Sequence, residues 1–135
     1  MASEKTMKAQ SLLIEAGLLP KEMPSNFTYH KVREVLAGVE GHEVEELHRA
    51  VERAVQLEVR GPLAAVIFIK HHFDGEHEVE LDRMEENEET GTRYAVLIYP
   101  EGELPIKLEQ MPEGIESGSR VRYDPEAKAG YSISR

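Results

Sequence analysis

At Arg60-Gly61-Pro62 the spacing of apolar residues changes, and that change constrains the fold more than any other feature of the chain. Before it, apolar positions recur every three or four residues, as on one face of a helix. After it they alternate, or run together in short stretches bounded by glycine and proline, as in strands. A chain that switches once in this way reads as helices followed by strands, which is an α+β order rather than the repeated alternation of a parallel α/β fold.

The helical part divides into three. From Glu4 to Gly17 the residues Met7, Ser11, Leu12, Leu13 and Ala16 fall near one another at helical spacing, and Gly17 reads as the stop. Pro20 and Pro24 bracket a turn, after which Ser25, Asn26 or Thr28 can cap a helix carrying Tyr29, Val32, Leu36 and Val39, ending by Gly41. The third helix runs from Glu43 to Val59. Its stripe is Val44, Leu47, Val51, Ala54, Val55 and Glu58, with Glu45, Glu46, Arg49, Glu52 and Arg53 opposite.

Beyond Pro62 the expected strands are LAAVIFIKHHF (63–73), HEVELDRM, RYAVLIY, LPIKLEQ, SRVRYD and GYSIS. Asp74-Gly75 and Pro100-Glu101-Gly102 read as hairpin turns. The expected architecture is therefore a helical N-terminal segment (1–60) packed on a β-rich module (61–135), the two forming one folding unit. The module is a small, mostly antiparallel curled sheet or a partly open barrel of SH3-like or OB-like kind. The run LAAVIFI offers apolar side chains to both faces of such a sheet, so a lid is required, and the stripe Val44, Leu47, Val51 and Val55 is the expected one.

Between the second strand and the fifth the chain resembles a small bacterial family, number three thousand and six among the domains of unknown function. The matching residues are Asp82 and Arg83 opening a strand, then Ala95, Val96 and Leu97, then Pro112, Glu113 and Gly114 preceded by Met111 where the family has Leu, and Gly118. The likeness spans residues 82 to 124; ENEETGT (86–92) and the helical N-terminus depart from it. The resemblance implies a small β-barrel-like module and brings no activity with it.

Charge narrows the function. The formal net charge is −10, and it is unevenly spread. Residues 1–70 hold ten acids and nine bases, residues 71–90 nine acids and one base, and residues 91–135 seven acids and six bases. The acidity is thus a local field around one strand and the loop after it. On a strand, His72, Asp74, Glu76, Glu78, Glu80 and Asp82 share a face, with Phe73, Val79 and Leu81 on the other. Three readings compete. The acids form a solvated face that also discourages edge aggregation. Alternatively, His72 and His77 meet across an Asp74-Gly75 hairpin and bind metal with Asp74 or Glu76, although two histidines fall short of the three or four ligands zinc takes. In the third reading Glu76, Glu78, Glu80 and Asp82 continue into Glu85, Glu86, Glu88 and Glu89 as an acidic docking patch for a basic protein surface.

Other chemistry lacks its signatures. There is no phosphate-binding glycine loop, nucleophile elbow or zinc-protease motif, and with no cysteine neither a thiol nucleophile nor a disulfide is possible. No cofactor and no metal is expected. The absence of cysteine and of any long apolar run suggests a cytoplasmic protein without a membrane partner, and 23 Glu against two Asn and three Gln is a thermophile-like composition. The expectation is a non-enzymatic, acidic interaction or regulatory protein, of the accessory type found in phages and mobile elements. Its partner would be a larger protein with a basic surface, such as a transcription or nuclease machine. The alternative is a nucleic-acid-binding small β-barrel using Arg93, Lys107, Arg120, Arg122 and Tyr123, with Lys128 nearby.

Overall fold

The computed structural model describes residues 4–39, 41–127 and 130–134, so Lys128 lies outside the described residues. Four helices precede five strands: α1 (Glu4–Glu15), α2 (Phe27–Ala37), α3 (Val44–Gln56), α4 (Pro62–His72), β1 (His77–Glu86), β2 (Arg93–Tyr99), β3 (Gly102–Lys107), β4 (Arg120–Tyr123) and β5 (Tyr131–Ile133). The strands form one antiparallel sheet in the order β3-β2-β1-β4-β5. It does not close, and β3 and β5 are its edges, so the fold is α+β with an open curled sheet rather than a barrel.

Local sequence explains most helix ends. After α1, Gly17 takes φ 81°, its N–H donates to the Ile14 carbonyl at 3.0 Å, and the Leu18 N–H donates to Leu13 at 2.9 Å. This pair of reversed bonds satisfies carbonyls that the helix leaves open. Asn26 caps α2, its side chain accepting from the Tyr29 N–H at 3.1 Å. At the end of α3 the same reversed pair recurs, Glu58 donating to Val55 and Val59 to Ala54, with Glu58 at φ 54°. Glu58 therefore lies past the helix instead of on its stripe, and its carboxylate is tied to Lys107 at 2.8 Å.

The segment 63–73 overturns an expectation: it is helix α4, not a strand. Gly61-Pro62 is a helix start, since proline at the first helical position loses no bond and supplies the right φ. Lys70, His71 and His72 in the last turn suit the negative end of the helix dipole. Ala64 to Ile69 are six consecutive buried residues. A helix covered on all sides has no polar face, and so shows none of the 3.6-residue rhythm that would have identified it. Asp74-Gly75 consequently joins α4 to β1 and is not a hairpin, and the helical segment extends to His72, not residue 60.

This helix is the centre of the molecule. It lies against the sheet, notably β3, while α2 and α3 pack on it and α1 packs on α3 and α2. The lid over the sheet is α4, where α3 was expected. Relative to the expected stripe α3 is rotated: Leu47, Ala50, Val51 and Ala54 are buried, whereas Val44 and Val55 are exposed. The C-terminal end of α3 still touches the β4–β5 connection. There Gly130, at φ 84°, sits where an added Cβ would come within 3.2 Å of Leu57 and Arg53.

Strand β1 carries a bulge. Leu81 stands opposite Leu97, but Arg83 stands opposite Val96, leaving Asp82 unpaired in the ladder. Before the bulge Val79 and Leu81 point to the helices and Glu78 and Glu80 to the outer face; after it Arg83 and Glu85 take the outer face. Among the described residues no helix is long and apolar enough to cross a membrane.

Candidate functional site

Two sets of candidates from the sequence meet on the outer face of the sheet, because β4 pairs with β1. Glu78 is opposite Arg122 and Glu80 opposite Arg120. Arg122 reaches Glu78 at 3.4 Å and Glu76 at 3.8 Å, Arg120 reaches Glu78 at 3.9 Å, and Ser134 also donates to Glu78. On the other side of β1, Arg83 gathers Glu103 at 2.8 Å, Asp82 at 2.7 Å and Glu85 at 2.8 Å. Hydrogen bonds donated by Arg83 to Glu103, Asp82 and Glu85 hold Arg83 above its ordinary range, and Arg83 in turn holds Glu103 below the usual carboxylate range. Being exposed and screened by solvent, these pairs add little to stability. Their larger consequence is that Glu76 and Glu78 are balanced by Arg120 and Arg122, whereas Arg83 only partly offsets Asp82, Glu85 and Glu103.

What remains unpaired is the tip of the β1–β2 hairpin. Among the described residues Glu86, Glu88 and Glu89, with Glu80 on the sheet, have no ion-pair partner and are exposed. The tip is ordered by its own backbone. Asn87 donates to the Thr92 carbonyl at 2.8 Å, Gly91 donates back to Asn87 at 2.7 Å, and the Asn87 side chain accepts from the Glu89 N–H at 2.9 Å. Thr90 and Thr92 hydroxyls bond at 3.0 Å beneath it. Three carboxylates are thus presented on a preformed turn rather than on a mobile loop, which reduces the ordering entropy lost on docking.

The residues of the nucleic-acid alternative fall into two pairs, Arg93 with Lys107 lining one pocket and Arg120 with Arg122 on the outer face of β4. Arg120 and Arg122 are engaged by Glu78 and Glu76, and Lys107 by Glu58. Tyr123 is 1% exposed and faces the helices. Arg93, at the base of the hairpin, is the exposed cation of the set with no ion pair among the described residues.

A polar seam between α4 and the sheet was not anticipated. His77 donates from Nδ1 to the Gly75 carbonyl at 2.8 Å, because a carbonyl can only accept; its Nε2 therefore accepts from the Tyr99 hydroxyl at 2.9 Å. His72 Nδ1 pairs with the Tyr123 hydroxyl at 2.7 Å. His71 lies between two carboxylates, Glu101 at 2.6 Å and Asp74 at 2.9 Å. Burial would raise Glu101, but hydrogen bonds from Lys70 and His71 outweigh it and bring its carboxyl to about 2. Burial pushes Tyr123 up to about 12, Tyr99 further, and Tyr131 well above its ordinary value, so all three keep their protons. The Tyr131 hydroxyl is buried without a hydrogen-bond partner of good geometry, although it adjoins Tyr99. Arg53 completes the seam by donating to the carbonyls of Ala127 and Asp124.

The seam locks the end of α4 to the sheet; both ring nitrogens of His71 and His77, and Nδ1 of His72, meet internal partners. His72 and His77, expected opposite each other in a hairpin, bond to different tyrosines, and among the described residues no three His, Asp or Glu side chains converge as a metal ion requires. Burial lowers both histidines below 6.5, an effect reinforced by Arg53 at His72 and opposed by the Gly75 carbonyl at His77. Below that pH the unfolded chain takes up protons that the folded chain refuses, so stability falls as pH falls through and below 6.5, and Glu101 adds a further loss from 4.5 down to about 2. The melting temperature is expected to decline steadily from about pH 7 to pH 5. A flat profile over that range would contradict the seam.

No family model matches this chain, no curated protein matches it, and no solved structure matches it.

Proposed function

We propose that the protein is a non-enzymatic cytoplasmic interaction module that docks on the basic surface of a larger protein, in the manner of accessory proteins of phages and mobile elements. The observation that carries this reading is the ordered hairpin tip with Glu86, Glu88 and Glu89 unpaired. Charges at a rim act mainly on the rate of encounter. The engagement of the seam histidines by internal partners supports a structural rather than catalytic role for them.

The test is kinetic. A partner is captured from the native host and its association with the purified chain is followed against ionic strength. The on-rate of the wild type should fall steeply with salt, and E86Q/E88Q/E89Q should slow it several-fold at low salt while changing stability by no more than about 0.5 kcal/mol. An unchanged on-rate would return the tip to a solvated face. Micromolar binding of random DNA or RNA at physiological salt, lost in Arg93→Glu, would favour the nucleic-acid alternative instead.

A further inference from the structure

Six large apolar side chains are exposed among the described residues, and three of them, Met7, Val44 and Val55, border one groove between α1 and α3. Its two halves, of 320 and 420 Å³, share Leu12 and so form one trough. Met7 lies by Val44 at one end, and Ala16 by Val51 and Val55 at the other, so the two helices run parallel. From Val44 to Val55 the trough is about 16 Å long, three helical turns. A straight apolar trough between two helices is the shape that a third helix fills, ridges into grooves.

Its charge selects the occupant. Because α1 and α3 are parallel, both carbonyl ends, each with a partial negative charge, arrive at the same end of the trough. There Glu15 and Glu52 border it, neither with an ion pair among the described residues. Arg53, in the same turn, is directed to the Asp124 and Ala127 carbonyls. The trough therefore ends in a negative field with no lysine or arginine lining that half, where His48 is the other ionisable side chain; Lys8 lines the opposite half.

We infer that this groove seats a cationic amphipathic helix from a partner protein. The helix lays its apolar face on Leu12, Val51 and Val55 and sets a lysine or arginine against Glu15 and Glu52. The surface belongs to the helical layer and is separate from the hairpin tip.

The probe is a synthetic peptide of about 18 residues with Leu and Lys at amphipathic helical spacing, long enough to form a helix. A Leu/Glu peptide of the same pattern is the control. Titrated against the full chain at physiological salt, the Leu/Lys peptide should bind in the micromolar range and the control at least about tenfold more weakly. Val55→Asp and, independently, E15K/E52K should each weaken the Leu/Lys peptide by about tenfold or more, and circular dichroism should show both variants folded. E86Q/E88Q/E89Q should leave that affinity unchanged, which keeps a failure here distinct from a failure of the hairpin reading. Groove variants that bind like wild type, or loss of binding in the hairpin variant, would overturn the proposal. So would self-association of the chain abolished by Val55→Asp, which would assign the groove to a second copy.

Discussion

Phe68→Ala is expected to destabilise the protein by about 3 to 5 kcal/mol. Phe68 is 1% exposed at the middle of α4, which packs on the sheet on one side and on α2 and α3 on the other. Its ring meets Tyr123 edge-on, with centroids 5.5 Å apart and planes at 85°. Removing the ring leaves a cavity that rigid neighbours on two layers cannot collapse into, so the loss includes both transfer and cavity contributions. Urea unfolding followed by circular dichroism measures it. A loss under about 1 kcal/mol would mean that α4 is not the hub of the core.

Leu47→Asp should remove most of the native population, because natural domains hold only about 5 to 15 kcal/mol in reserve and an unpaired buried carboxylate consumes several of them. Leu47 is 1% exposed on the inner face of α3. Val55→Asp, eight residues further along the same helix but 47% exposed, should cost no more than about 0.5 kcal/mol. The contrast tests the rotation of α3 directly. Equal damage from the two substitutions would restore the stripe expected from spacing, in which both residues face the core.

That rotation illustrates what spacing can convey. An arc of helix wide enough to include Val44, Leu47, Val51 and Val55 is apolar, and the sequence cannot say which part of the arc is covered by neighbours. Burial of Ala50 came from the same ambiguity, since alanine is too small to register as a core signal. The charged residues show it again. Nine acids in twenty residues are countable in the sequence, but Glu78 is neutralised by Arg122, 44 positions away, because β4 returns beside β1. The seam depends equally on distant partners: His71 meets Glu101, and His72 meets Tyr123, only after the sheet has formed against α4.

The chain by itself determined what a few adjacent residues can enforce through backbone preference. A cap among Ser25, Asn26 and Thr28 starts α2, the structure using Asn26; Gly17 ends α1; and RYAVLIY is strand β2 from Arg93 to Tyr99 because a short run rich in β-branched and aromatic residues agrees with the turn at Pro100-Glu101. Helices first and antiparallel strands after followed from the change of rhythm, although the change falls at residue 73 and not at 60. Tertiary structure alone decided the state of LAAVIFI, for a continuous apolar run satisfies a buried helix and a buried strand equally. Only the presence of the sheet on one side and of α2 and α3 on the other makes the helix the form that buries every side chain while satisfying its own backbone. It likewise decided which glutamates are left without a partner, since a carboxylate's net charge toward a visitor depends on which cations the folded chain has already placed beside it.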